Sequence, residues 1–331
     1  MCYCQKLHKQ MELGMVQGIL IEGLVYGIMV LGVFMEFRIL NFCDMTVDGS
    51  FPMGACILAA CLTAGLPPSA ALVIAFAGGL IAGLVTSLIY TKLRIPDLLA
   101  GILTMTMLYS INLRIMSNKA NVSFLKIPTV FSNITKYMET AVPQISPDWG
   151  LVVFLLLTVA VLKGLLDLFF HTDFGLTMGA LGANEQMIVS QGVNPQTVRT
   201  IGICLGNGLA ALAGAFGAMY NGFADVGSGT GVVVSGLASL MLGEFVLRSN
   251  HIGLQTLRVL IGSIIYRGLM FFGRSYGYKI GLTSNDLKLI TGLLIILCLA
   301  LSNANFFAYM KEHTTRPPKN GCCKSPAGGR A

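Results

Sequence analysis

The chain has 331 residues, 54% hydrophobic and only 11% charged, with a mean hydropathy of +0.74. Soluble domains carry about 25% charged residues, so this composition excludes a soluble globule and predicts an all-α polytopic membrane protein with room for roughly eight to ten crossings of about 20 residues each. The net charge of +7 comes from basic residues scattered among connections with no aromatic-interleaved patch, which excludes nucleic acid as a partner and leaves membrane lipids as the surroundings.

Residues 1–12 are a polar lead containing Lys6, His8 and Lys9, and an apolar run follows over 13–37. That run is longer than the core of a signal peptide and no small-residue cleavage pattern closes it, so it is expected to stay as the first span. Gly14/Gly18 and Gly23/Gly27 are small-xxx-small pairs that predict a close-packing face. Residues 38–55, RILNFCDMTVDGSFPMGA, then put Asp44, Asp48, Gly49 and Pro52 between apolar runs. Irregular backbone survives at membrane depth only where protein or a cavity surrounds it, so this break predicts a hairpin or discontinuous helix beside a translocation path. Carboxylates at membrane depth default to functional roles. The alternative is that Asp44 and Asp48 lie in the interface and cap helices.

Apolar segments follow over 53–66 and 69–90, joined by Pro67-Pro68, with Gly79/Gly83 as another packing pair. The basic connection 91–97, TKLRIPD, belongs on the cytoplasmic side by the positive-inside rule. A span over 98–116 leads to the longest polar stretch, 117–148, expected to be an external loop. The next span, 151–170, carries Lys163 and Asp167 four residues apart on one helix face, where they pair or snorkel.

Residues 174–202, FGLTMGALGANEQMIVSQGVNPQTVRTIG, interrupt the apolar pattern. Asn184 can N-cap a short helix, Glu185 favours its positive end, and Gly192 supplies a left-handed close about two turns later. Asn194-Pro195 restarts a helix that continues into the span 195–220, which is rich in Gly and Ala and contains Asn207. A two-turn helix is unstable alone, which argues for a docking element held between spans. Residues 221–230, NGFADVGSGT, form a second break with Asp225, followed by an apolar segment, 231–243, too short to span comfortably. Both halves thus run from a long helix through a polar break to a short helix and a longer span, the pattern of inverted repeats about a central site.

A span over 251–273 has Arg248, His251 and Arg258 clustered near its start. A polar loop over 274–286, a last span over 287–301 and a basic cytoplasmic tail over 306–331 complete the chain, so the transmembrane domain is 13–305. Gly273-Arg274-Ser275-Tyr276-Gly277 formally matches the hydrolase nucleophile elbow, but that motif needs a strand-to-helix turn and here a membrane span precedes it. No Gly-Lys dipeptide occurs, so there is no Walker A loop and the chain is not an ATPase. No Cys/His pattern has metal-ligand spacing, and most cysteines lie in or near apolar segments as small hydrophobes. No catalytic, metal or cofactor site is expected; the protein moves something.

Gly182-Ala183-Asn184 followed by Gly192-Val193-Asn194 resembles the coupling loop of permease subunits of ABC importers, in the family serving branched-chain amino acids, ribose and related solutes. Asn41-Phe42, the spaced glycines and Gly54-Ala55 resemble the signature after the first span of the same family. The resemblance implies a bacterial inner-membrane permease working as a homodimer or as a heterodimer with a sister permease. It implies ATPase subunits, which bind the ATP, docking on the loop 173–195 at Gly182, Asn184, Glu185, Gly192 and Asn194. It also implies a solute-binding protein that delivers substrate to the external face, for which 117–148 is the expected surface. One departure is that Met178-Gly179-Ala180-Leu181 carries no charge where the family commonly has a basic residue. The pathway is expected to be lined by Asp44, Asp48, Asn207 and Asp225, and the cargo to be an amino acid, with an aromatic one such as tryptophan in view. The rival reading is an ion-gradient-driven secondary transporter using Lys163/Asp167 and the acidic breaks as ion sites.

Overall fold

Backbone N–H and C=O groups cannot be left bare in hydrocarbon, and the chain meets that constraint almost entirely with helices. The computed structural model describes residues 2–125, 127–141, 148–247 and 252–279, with positions 289, 292, 293 and 296. Helix α1, Cys2–Val33, passes into a π turn, Phe34–Ile39, and after an irregular stretch the chain re-enters α2, Val47–Thr63. Next come α3, Pro68–Leu93; α4, Asp97–Ile115; strand β1, Asn121–Ser123; α5, Val130–Ala141; and α6, Asp148–Phe170. The short pair α7, Asp173–Ala183, and α8, Glu185–Ser190, leads to α9, Pro195–Asn221. Strand β2, Phe223–Asp225, a 3-10 turn, Val226–Gly229, α10, Val232–Val246, and α11, Ile252–Lys279, follow.

Among the described residues, seven helices are long and apolar enough to cross a membrane, and α2 is a shorter apolar eighth. The most apolar stretches of α1 and α9 are each 72% buried, against 28% for α4 and 22% for α6. The first pair therefore forms the centre, and the outward leucines of α6, such as Leu157 and Leu168, present a surface suited to lipid. Glycine makes the central contacts possible. A Cβ at Gly54 of α2 would strike the carbonyl of Ala211 in α9, and one at Gly214 of α9 would strike the carbonyl of Phe51 in α2. Gly79 and Gly83 of α3 lie against the α9 backbone in the same way. Gly23 and Gly27 meet Ile264 and Leu260 of α11 and Gly18 meets the Tyr220 hydroxyl, whereas among the described residues nothing lies within 4 Å of a Cβ at Gly14.

Several local expectations are corrected. Helix α2 begins at Val47, not at residue 53, because Pro52 is accommodated inside it. Proline has no N–H for the carbonyl of Asp48, and Gly229 packs onto that carbonyl and onto the Pro52 ring. The stretch 117–148 is not a plain loop. It contains α5 and strand β1, which pairs antiparallel with β2 in the register Asn121 opposite Asp225. Residues 173–183 are helical rather than loop, and α11 runs on through 274–279, which excludes a strand-to-helix elbow at Ser275. With the 3-10 turn included, the apolar unit Val226–Val246 is 21 residues long, enough to span. Arg248, His251 and the tail lie outside the described residues, as does nearly all of the last predicted span.

The two halves exchange partners. Helix α3 packs on α2 and on α9, and α11 packs on α10 and on α1, so the third helix of each set covers the first helix of the other. The breaks also meet, through Asp48 and Gly229.

The helix contacts predict opposite outcomes for one chemical change. Gly54→Ala forces a methyl group into the α9 backbone and should cost about 1–3 kcal/mol. Gly164→Ala on α6, with nothing within 4 Å among the described residues, should leave stability unchanged or slightly raised. Melting curves of the two purified variants in one detergent, followed by size exclusion, check the contrast.

Candidate functional site

The α7–α8 element is assembled by its caps. Thr172 accepts from the Gly175 N–H at the start of α7. Asn184 ends that helix, and its Oδ1 accepts from the N–H groups of Gln186 (3.0 Å) and Met187 (3.4 Å) to start α8. Gly192 follows with φ +81°, a conformation glycine adopts freely. Asn194 then accepts from Gln196 (3.0 Å) to open α9, with Pro195 at its first position. Gly182, Asn184, Glu185, Gly192 and Asn194 thus belong to one compact element, and only glycine at 182 allows α7 to rest on the Ile39 carbonyl at the end of the π turn.

A six-residue helix needs outside support. Ile188 is buried, and Arg199 of α9 forms an ion pair with Glu185 at 3.2 Å. The same guanidinium donates to the Tyr90 hydroxyl at 2.9 Å and lies over its ring, and Tyr90 meets Phe42 edge-on at 5.2 Å. Contacts therefore run from α8 through Glu185, Arg199 and Tyr90 to Phe42 in the irregular stretch after α1. On the outer side Met187 and Val189 are exposed, beside a concavity lined by Asn184, Gln186 and Ser190.

The second feature is a buried polar centre. The π turn lengthens the hydrogen-bond reach, with the Leu40 N–H meeting the Met35 carbonyl at 3.1 Å, and π turns inside helices recur at functional sites. Asn41 then takes φ +51°, and the chain turns inward. The Asn207 amide nitrogen donates to Asp44 Oδ2 (2.7 Å), Glu36 Oε1 (3.1 Å) and the Ile203 carbonyl (3.1 Å), and its oxygen accepts from Ser50 (2.8 Å). Asp44 also accepts from the Thr46 N–H, and Thr46 contacts the Thr86 hydroxyl at 2.8 Å. Glu36, Asp44 and Asn207 are 2%, 4% and 0% exposed. Among the described residues no Lys, Arg or His lies within ion-pairing distance of either carboxylate.

The structure thus brings two of the four expected pathway residues together, Asp44 and Asn207, and encloses both in protein. Asp48 is elsewhere, accepting from the Gly231 and Val233 N–H groups at the start of α10. Asp225 caps its own 3-10 turn through Gly227. Asp48 and Asp225, both half-buried, each cap a helix or turn and do not touch the Asp44–Asn207 centre. Glu36 is the residue that sequence reading missed, although a carboxylate near the end of a long apolar run was a signal. Lys163 and Asp167 pair at 2.5 Å, and Asp167 also accepts from Thr256 at 2.7 Å, which ties α6 to α11.

Asn207→Leu should remove the amide partner of Glu36, Asp44 and Ser50, leaving Asp44 its Thr46 N–H, and lower stability by about 2–4 kcal/mol. Asp225→Ala, which removes one local cap, should cost about 0.5–2 kcal/mol. Thermal melts in detergent rank the two.

Comparison with known proteins agrees with this architecture. Residues 15–299 match the family described as branched-chain amino acid transport system / permease component. The chain is 40% identical over 287 residues to the tyrosine transport system permease protein of Clostridioides difficile (strain R20291), covering 87% of this chain and 91% of that one. It is 34% identical over 272 residues to an uncharacterized protein of Rickettsia prowazekii (strain Madrid E), covering 82% and 92%. It is 28% identical over 206 residues to an autoinducer 2 import system permease protein of Yersinia pseudotuberculosis, covering 60% and 54%. No solved structure matches the chain significantly. With seven helices able to span a bilayer and a family match along most of its length, this multi-pass inner-membrane transport subunit belongs to the branched-chain amino acid transport system permease family.

Proposed function

We propose that the chain is the membrane subunit of an ATP-driven importer whose cargo is an amino acid. The observation that carries this is α8: a short, separately capped helix, exposed on one side and connected on the other, through Gly182 and Arg199, to the break that leads into the buried centre. An element of that kind is suited to receive a push. Two ATPase subunits dock at Gly182, Asn184, Glu185, Gly192 and Asn194 and bind the ATP that this chain does not. Their closure moves α8, and the displacement reaches the π turn through the Gly182–Ile39 contact and the irregular stretch through Arg199, Tyr90 and Phe42. The irregular stretch and α9 share Asn207, so movement of one shifts the other.

At the opposite end of α9, the β1–β2 pair and α5 offer a surface for a solute-binding protein. The tyrosine permease relative, matched over 91% of its length, supports an amino acid as cargo. The working assembly is a dimer of two such chains or of this chain with a sister permease.

Co-expression with the ATPase of its own operon, followed by affinity purification, tests the reading. The wild type should retain the ATPase, and Asn184→Ala should weaken retention roughly fivefold, as expected for loss of a cap of about 1 kcal/mol. Arg199→Ala should keep the ATPase yet lower ATP-dependent uptake of labelled amino acid into proteoliposomes. If the lone chain instead transports down an ion gradient and no ATPase is retained, the reading is wrong.

A further inference from the structure

A cavity of about 230 Å³ opens between α1, α9 and α11, lined by Glu22, Tyr26, Tyr220, Asn221 and Arg267 among others. None of these residues belongs to the docking element or to the buried polar centre. Helix α9 has 27 residues, so its Tyr220–Asn221 end lies about 40 Å from its Pro195 end beside α8. The cavity is therefore at the face away from the docking element.

Its chemistry is that of a zwitterion. The Arg267 guanidinium lies 3.2 Å from the centre of the Tyr26 ring, which fixes its plane, and Tyr26 is itself stacked on Phe51 at 5.3 Å. Arg267 Nη1 forms an ion pair with Glu22 Oε2 at 3.8 Å, too long for a hydrogen bond, and among the described residues the buried Arg267 Nε has no hydrogen-bond partner. A guanidinium held this way still has donors to offer to a carboxylate in a fixed fork. The Glu22 side chain, 39% exposed beside it, offers acceptors to an ammonium group, and two tyrosines and the Asn221 amide complete the wall.

We propose that this cavity binds a free α-amino acid, with its carboxylate on Arg267, its ammonium on Glu22 and its side chain against Tyr220, since both faces of Tyr26 are already covered. The ligand class rests on the importer reading above and adds to it a recognition site within the permease itself. A phosphoethanolamine lipid headgroup has the same pairing of charges, so the test must separate the two.

The measurement is equilibrium binding of tritiated L-tyrosine, L-tryptophan and L-leucine to the purified chain in nanodiscs, made with and without phosphatidylethanolamine. At least one should bind in both lipid compositions. For an aromatic ligand, tyramine, which lacks the carboxylate, and 3-(4-hydroxyphenyl)propionate, which lacks the ammonium, should compete at least tenfold more weakly than L-tyrosine. Arg267→Lys and Glu22→Gln should each weaken binding at least tenfold while keeping the wild-type elution profile and ATPase retention. Unchanged binding in both variants overturns the proposal. So does absence of binding to all three amino acids, or binding seen only without phosphatidylethanolamine, which marks a headgroup site. ATPase retention is read on the same preparations, so failure of the importer reading appears separately from failure of this site.

Discussion

One amide on α9 holds three successive stretches of the chain from more than 150 residues away. Asn207 reaches Asp44 and Glu36 with its nitrogen and Ser50 with its oxygen, so the π turn, the irregular stretch after it and the start of α2 are all referred to one point on α9. This matters because the interior of a membrane protein offers no water to unpaired groups, and a backbone that leaves helical form there must be enclosed by protein. The glycines of the central helices make the enclosure possible. Gly54 and Gly214 bring the backbones of α2 and α9 close enough that side chains as short as Ser50 and Asn207 can meet. Tight packing and the polar centre therefore depend on each other.

The second break is held by the first. Asp48 caps α10 across 185 positions of sequence, and Gly229 fits over the carbonyl that Pro52 leaves without a helical partner. The exchange of partners between α3 on α9 and α11 on α1 gives the bundle the look of two similar units clasped together. The first break is covered by α9 of the second unit, and the second is held, half exposed, by Asp48 and Pro52 of the first.

The two ends of α9 carry different chemistry. Near Pro195 an exposed short helix is linked by Glu185, Arg199 and Tyr90 to the irregular stretch. Near Tyr220 a cavity holds a constrained guanidinium and a carboxylate in a loose ion pair at 3.8 Å. Helices α1 and α9, each 72% buried over their most apolar stretch, form the packed centre of the bundle.

The sequence determined what depends on neighbours along the chain. Apolar runs marked the spans, and the residue types at Asn184, Gly192 and Asn194-Pro195 marked the caps of α8 and α9, since a cap reaches only two or three residues ahead. The break around Asp44 was legible because charge and proline interrupt an apolar pattern, and the Lys163–Asp167 pair because four residues make one helical turn. Helix α7 was not legible: its Gly-rich sequence has weak intrinsic helix propensity, and packing on the π turn supports it instead. The choice of partner for each carboxylate was decided only by tertiary structure. Asp44 and Glu36 share Asn207, Asp48 serves α10, Asp225 serves its own turn, and Glu22 faces Arg267. Those pairings join residues up to 245 positions apart, and they are fixed by which glycine surfaces let which helices touch, a property of the packed bundle that no local window of sequence contains.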